Sequence, residues 1–524
     1  MTPPTPAPRP DVIVILVDDL GFSDLASYGG EIPTPNLDRL AERGVRLSSF
    51  YTTPRCSPTR AALLTGRPSH EVGIGVLTRP VGYRGSLDPE VPTLATMLSE
   101  AGYATALAGK WHLSSQVSEA DDTWPTRRGF DRFYGIIGGG TSYFAPKAFF
   151  RGEQSAEDDA LRPDFYLTHA LADEAVDFVR EQVAADSRYF LYLALTAPHW
   201  PLQAPADDIQ ERSGDYDDGW DALRERRRAR QAELGLFPES FEPAPRDDAE
   251  PAWPDAGDPA WQARRMEVYA AQVVVMDRSI GRLLDELDRA GRFDDTLLLF
   301  LSDNGAEAME IPLGRRFAPH VTPDHTRDGD PVSIGNDPSI VPGAEDTYAS
   351  YGRAWANLSN TPFRLYKSWV HEGGIAAPMI ASWPAGGIGG GGIRHEPAHV
   401  TDLLPTIAAA VGAPLPDRVT GASLVGLLQG ERMPQRDLCW EHIGNAAIRR
   451  GRHKLVREYG GEWELYDLDV DRAELRDLAA DHPELVAELA RAWQEWAGRH
   501  GVIPFPELVA IYEAQGLPAW QATS

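Results

Sequence analysis

Cys56 is followed by Ser57-Pro58-Thr59-Arg60 and then by Ala-Ala-Leu-Leu-Thr-Gly66. Pro58 suits the first turn of a helix, Ser57 can cap it and Gly66 can end it. The thiol then sits just outside a helix N-terminus, where free N–H groups and the helix dipole favour negative charge. By itself this describes a low-pKa thiol; a buried, inert cysteine is the alternative. A second group is made of oxygen ligands. Asp18-Asp19 follow the apolar run Val12–Val17, and Ser302-Asp303-Asn304-Gly305 follow Leu297–Leu301. Three carboxylates and an amide oxygen would repel one another without a cation, and such ligands suit Ca²⁺ or Mg²⁺ better than zinc. Plain turns, where Asp, Asn and Gly are common, are the alternative. Two further apolar segments run into Gly109-Lys110-Trp111-His112 and Thr196-Ala-Pro-His199-Trp-Pro. On an extended chain Lys110 and His112 point to the same side. His199 is either structural or a proton-transfer group.

These groups need a scaffold that brings them together. Strand-like and helix-like segments alternate, as in a parallel α/β sheet. The unbroken apolar run Val12–Val17 fits a strand buried on both faces, and Ala104–Ala108, Tyr189–Leu195 and Leu297–Leu301 read alike. In an open parallel sheet the carboxyl ends of the strands converge on one crevice, which would collect all four motifs. Thr34-Pro35 opens a helix that Gly44 closes, and Met266–Ala290 has helical periodicity ending at Gly291. Gly386–Gly392 reads as a surface loop. Pro205–Asp258 and Ala306–Ser359 look like insertions, and loops of that length are usually lids or binding loops. The arginine cluster Arg224–Arg230 is expected on a solvated helix face. From about Pro434 the texture changes. Ala446–Val456 and Glu462–Leu468 read as antiparallel strands joined by Gly460-Gly461, with a helix over roughly Pro483–Arg499. The expected organisation is a catalytic unit over residues 1–433, with insertions near 205–258 and 306–359, and a small α+β unit over 434–524.

Cys56-x-Pro58-x-Arg60 followed by Leu-Leu-Thr-Gly66 resembles the signature of type I sulfatases, the formylglycine-dependent branch of the alkaline phosphatase superfamily. In that signature the cysteine is oxidised to Cα-formylglycine (3-oxoalanine). The other motifs follow in the family's order: Asp18-Asp19, Gly-Lys110-Trp-His112, His199, Asp303-Asn304-Gly305, and Lys367 before His371-Glu-Gly-Gly374. The resemblance runs from Val12 to at least Leu404. It is nearest to bacterial arylsulfatases with Thr-Ala-Pro-His-Trp-Pro-Leu-Gln-Ala-Pro and Arg-Leu-Tyr-Lys motifs. Ser114 departs from the pattern, since many members have Gly there; a changed loop is expected.

The resemblance implies a large mixed, mainly parallel sheet sandwiched by helices, with a smaller C-terminal α+β unit carrying an antiparallel sheet. It implies hydrolysis of sulfate esters, aryl sulfates included. Residue 56 would be a hydrated aldehyde: one hydroxyl attacks sulfur to give a sulfated enzyme, and the other then expels sulfate. Asp18, Asp19, Asp303, Asn304 and residue 56 would hold one Ca²⁺. Arg60 and Lys110 would offset charge on the diol, His112 would hydrogen-bond it, and Lys110 and Lys367 would bind sulfate oxygens. His199, or Lys367 beside it, would protonate the leaving oxygen. The implied maturation partner is a formylglycine-generating enzyme. His70 and Asp402 are expected in supporting structure. Relatives with the same formylglycine act on phosphonate and phosphate monoesters, which is the alternative activity. A binding protein with unmodified Cys56 is the third reading.

Composition bounds these readings. The chain has 524 residues and a formal net charge of 50 − 78 = −28. That balance argues against nucleic acid or an anionic membrane as a partner, so an anionic substrate needs a local basic site. Two cysteines, Cys56 and Cys439, give no disulfide framework. No signal-like or membrane-length apolar segment is read near the start, and a cytoplasmic protein is expected.

Overall fold

The computed structural model describes residues 9–517; residues 1–8, most of the proline-rich start, and 518–524 lie outside the described residues. The large sheet has ten strands: β1 Asp11–Val17, β2 Val45–Leu47, β3 Ala104–Gly109, β4 Arg132–Ile136, β5 Phe149–Arg151, β6 Gln154–Ser155, β7 Tyr189–Ala194, β8 Thr296–Ser302, β9 Met379–Ser382 and β10 Gly392–Arg394. Their spatial order is β10-β2-β9-β8-β1-β7-β3-β4-β5-β6. The five central strands β8-β1-β7-β3-β4 are parallel. Antiparallel pairings join β9 to β8 and β2 on one side, and β4 to β5 and β5 to β6 on the other.

β1 explains why its sequence is a continuous apolar run. Side chains alternate between the faces of a strand. Ile13, Ile15 and Val17 enter the core beneath helices α3 (Leu167–Ala184) and α5 (Pro259–Arg289). Val12, Val14 and Leu16 enter the opposite core beneath α2 (Cys56–Thr65) and α6 (Leu403–Val411). No position from Val12 to Val17 meets water, and all six are apolar; the first residue, Asp11, is buried against Arg292 at 2.7 Å. Helix α1 spans Pro35–Arg43 and ends at Gly44, as its Thr-Pro and Gly signals predict. Helix α5 starts earlier than its apolar periodicity suggests. Asp258 accepts a hydrogen bond from the Trp261 N–H at 3.2 Å and Pro259 takes the first helical position, a paired start signal.

The first insertion corrects one expectation. Helix α4, Gly219–Glu233, carries the arginine cluster, but Arg224 and Arg227 are buried instead of solvated. Arg224 donates to the Asn357 and Ala244 carbonyls at 2.6 and 2.8 Å. Arg227 reaches Asp24 and Glu31, both at 2.7 Å. Only Arg226, Arg228 and Arg230 face outward. Breaking a buried ion pair from one side leaves stranded charge, so Arg227→Met should cost about 3–5 kcal/mol. Chemical denaturation checks this; an unchanged midpoint would mean that Asp24 and Glu31 are neutralised some other way.

The C-terminal sheet is antiparallel and four-stranded: β11 Asp437–His442, β12 Asn445–Arg450, β13 His453–Arg457 and β14 Glu464–Asp467. The single strand expected over Ala446–Val456 is two strands, turned at Gly451 with φ 58°. β11 was not foreseen. Helix α7, Pro483–Arg499, has the predicted bounds. This sheet grips the large one through buried charge: Lys454 Nζ lies 3.0 Å from Glu372 and 2.8 Å from Glu474, and Arg472 Nε lies 2.9 Å from Glu372. Glu372 follows the turn that carries Lys367. Among the described residues no helix is long and apolar enough to cross a membrane.

Candidate active site

The polar residues beyond the parallel strands meet at one end of the sheet. β1 delivers Asp18 and Asp19, β8 delivers Asp303 and Asn304, and β3 runs on into Lys110 and His112. His199 follows β7, and the turn before Glu372 supplies Lys367. All of these are buried. Lys110 Nζ lies 2.6 Å from Asp18, and Arg60 Nη2 lies 2.8 Å from Asp303 and 3.7 Å from Asp18. Lys367 Nζ bridges Asp19 at 2.8 Å and Glu307 at 2.9 Å. His199 Nε2 stands 3.5 Å from Asp19. His112 Nδ1 lies 3.3 Å from Cys56 Sγ. Asp303 accepts the Asp19 N–H at 3.2 Å, and Asn304 Nδ2 donates to Asp19 at 2.6 Å.

Local chain geometry makes this convergence possible. β3 stops at Gly109, whose φ is 128° and where a Cβ would lie 1.9 Å from the Ala194 carbonyl oxygen. His112 adopts φ 55°, so it reaches Cys56 through a left-handed turn and not through strand alternation. Its ring lies against Gly139, where a Cβ would come within 2.6 Å of the imidazole; a side chain there would push His112 off Cys56. Helix α2 begins at Cys56 itself, after Arg55 in extended backbone. Ser57 does not cap it: its hydroxyl donates to the His112 carbonyl at 2.9 Å and ties the two loops together.

A model of the family described as Sulfatase matches residues 10–413, and one described as N-sulphoglucosamine sulphohydrolase, C-terminal, matches residues 363–496. The chain belongs to the Sulfatase family. An uncharacterized sulfatase of Schizosaccharomyces pombe is 35% identical over 546 aligned positions, covering 95% of each chain. An arylsulfatase of Klebsiella aerogenes is 36% identical, covering 77% of this chain and 87% of its own. The crystal structure of Ps i-CgsB with k-i-k-neocarrahexaose superposes with a TM-score of 0.68 at 24% identity, covering 98% of this chain and 99% of its own, a likeness of fold. The protein is accordingly a sulfuric ester hydrolase.

Burial sets the electrostatics of this sulfatase site. Burial pushes the Cys56 thiol up, against Lys110 and Lys367, which corrects the low-pKa thiol expected from the helix N-terminus alone. Desolvation outweighs the helix end because the whole residue is enclosed. Burial, then Lys110, holds His112 well below the ordinary imidazole value, and burial lowers His199 against the pull of Asp19. Burial and the Asp18 charge push Asp303 up to about 7. Burial works against Lys367, but Asp19 and Glu307 raise it well above the ordinary lysine value.

Three side chains near the site were missed from sequence. Glu307 lies two residues beyond the Asp-Asn-Gly motif and holds Lys367; its place directly after that motif was the available signal. Arg55 borders Cys56 and had none. His320 comes from the second insertion, which is not a plain polar loop. Ile311, Val332, Ile334 and Tyr348 form an apolar cluster there, with Trp200 and Phe317 packed against it. Trp200 stacks on Phe317 at 5.0 Å beside the His199 ring at 4.5 Å. The insertion thus roofs the His199 side of the site. Ser114 ties its loop by donating to the Gln116 carbonyl and accepting from Thr123. His70 bonds Glu441 at 2.8 Å, and Asp402 accepts the His399 and Ala422 N–H groups; both serve supporting structure.

Proposed function

We propose that this sulfatase cleaves sulfate monoesters, aryl sulfates among them, with residue 56 in its formylglycine form and with one Ca²⁺ held by Asp18, Asp19, Asp303, Asn304 and residue 56. The observation that carries the cation reading is a pair of stranded oxygens. Among the described residues Asp18 Oδ1 and Asn304 Oδ1 are buried without a hydrogen-bond donor, beside Asp303, which burial and then the Asp18 charge raise. Ligand atoms of Asp18, Asp19 and His199 lie within 4.8 Å of one another. We leave His199 outside the ligand set, because hard cations take oxygen. The cation supplies positive charge for a sulfate oxygen. The hydrated aldehyde supplies two hydroxyls on one carbon.

The remaining work falls to this chain's own residues. Lys110 and Lys367 present ammonium groups to the sulfate oxygens, each anchored by a carboxylate. Arg60 is fully buried, donates to the Lys110 carbonyl at 2.9 Å and pairs with Asp303, so it holds other groups in position. His112, neutral, faces the nucleophile position. His199 Nδ1 lies 2.5 Å from the Trp200 carbonyl, which only accepts, so Nδ1 carries a proton. Nε2 then has a proton to give only in the imidazolium, which Asp19 favours. Conversion of Cys56 by a formylglycine-generating enzyme is part of this reading.

Calcium should raise the melting temperature and EGTA should lower it, because a ligand confined to the folded state stabilises by about 2.7 kcal/mol at a hundredfold excess over Kd. Asp303→Ala should abolish both the response and the activity. Stoichiometric zinc at this site by metal analysis would contradict the oxygen-ligand argument.

A further inference from the structure

Among the described residues Arg55 is a buried cation with no ion-pair partner within 4 Å. It is 9% exposed and stands directly before residue 56. A guanidinium offers five N–H donors; Arg55 uses Nη1, which donates to Ser368 Oγ at 2.5 Å, while Nε is buried without a partner. Most other buried arginines differ in holding a carboxylate or several carbonyls against the guanidinium, even where one nitrogen, such as Arg60 Nε or Arg472 Nη2, is also unpartnered. Arg60 pairs with Asp303, Arg227 with Asp24 and Glu31, Arg265 with Glu310, and Arg472 with Glu372. Arg224 has the Asn357 and Ala244 carbonyls. The nearby acid that feels the Arg55 charge is Glu307, and Lys367 already occupies it. His442 also feels the Arg55 charge: burial and then Arg55 hold it well below the ordinary imidazole value, and among the described residues its Nε2 is unpartnered. A buried, unneutralised charge is costly to a fold, and such costs persist where function uses them.

Lys110 and Lys367 already serve the single negative charge of a sulfate monoester. Arg55 lies outside that pair, toward half-exposed Ser368. We propose that Arg55 is a specificity residue that binds a second anionic group, a carboxylate or a further sulfate, on the leaving-group side, so that preferred substrates carry two negative charges. This rests on the reading of residue 56 as nucleophile.

Benzyl sulfate and its ortho-, meta- and para-carboxybenzyl analogues test it, since their leaving alcohols are similar in acidity. The wild type, with formylglycine verified by mass, should favour the best carboxybenzyl ester in kcat/KM by about 10- to 100-fold, the range of a charged hydrogen bond. Arg55→Gln should collapse that ratio to near one. Arg55→Lys should keep part of it, because the charge remains while the planar fork is lost. Arg55→Gln should also melt no lower than the wild type, since it removes a stranded charge. Benzyl sulfate cleavage without carboxybenzyl preference, or a preference that Arg55→Gln leaves intact, overturns the inference alone. A clearly lowered melting temperature in Arg55→Gln makes Arg55 structural and also overturns it. A formylglycine-bearing enzyme that cleaves none of the esters refutes the nucleophile reading, and this inference with it.

Discussion

Protein produced in a host without formylglycine-generating activity should fold and melt like the mature enzyme, yet turn over aryl sulfates about 10⁴–10⁶-fold more slowly, the scale of losing a nucleophile. Two features of the site lead to that expectation. The Cys56 thiol is enclosed and its pKa is raised by burial, so it stays protonated at neutral pH and is a poor nucleophile. A thiol or a serine hydroxyl also offers one attacking atom, whereas the hydrated aldehyde offers a second hydroxyl to release product. Cys56→Ser should therefore be as slow as the unmodified protein at steady state. The peptide containing residue 56 is weighed, and the aldehyde fraction is compared with the turnover rate. Full activity with a wholly unmodified thiol would remove residue 56 from the nucleophile role.

His199→Ala should lose about 10²–10⁴-fold on esters of poor leaving groups and far less on esters of acidic phenols. Acidic phenols depart as phenolate, while alkoxides need a proton in the transition state. A plot of log rate against leaving-group pKa should steepen in the mutant. The structure adds a pH signature. Because Nδ1 faces a carbonyl, the donating form is the imidazolium, and burial lowers its pKa. For poor leaving groups kcat should fall as pH rises through that lowered value; for good ones the limb should be weak. Lys367 is the rival donor, but Asp19 and Glu307 hold its proton tightly. A uniform loss in His199→Ala with an unchanged slope, together with a steepened slope in Lys367→Ala, would transfer the proton to Lys367.

The elements that carry these groups were legible because each leaves a local mark. β1, β3, β7 and β8 each carry a mainly apolar run, since both faces of a central parallel strand are buried, and each is followed by the polar residues that its carboxyl end presents. Where the local mark was weak the reading failed. β11 has a mixed exposure pattern, and the turn at Gly451 lies inside what reads as one apolar stretch.

The sequence by itself determined which residue types stand at the strand ends, hence the Sulfatase family and its reaction, because order and spacing along the chain survive without coordinates. Tertiary structure alone decided how those residues are charged and what holds them. Arg227 turns inward because Asp24 and Glu31, far away in sequence, are buried opposite it. Cys56 holds its proton because the surrounding segments exclude water from a helix end that would otherwise favour a thiolate. Glu307 pairs with Lys367, and among the described residues Arg55 has no ion-pair partner of its own. Desolvation and pairing depend on neighbours brought together by folding, so no local pattern records them.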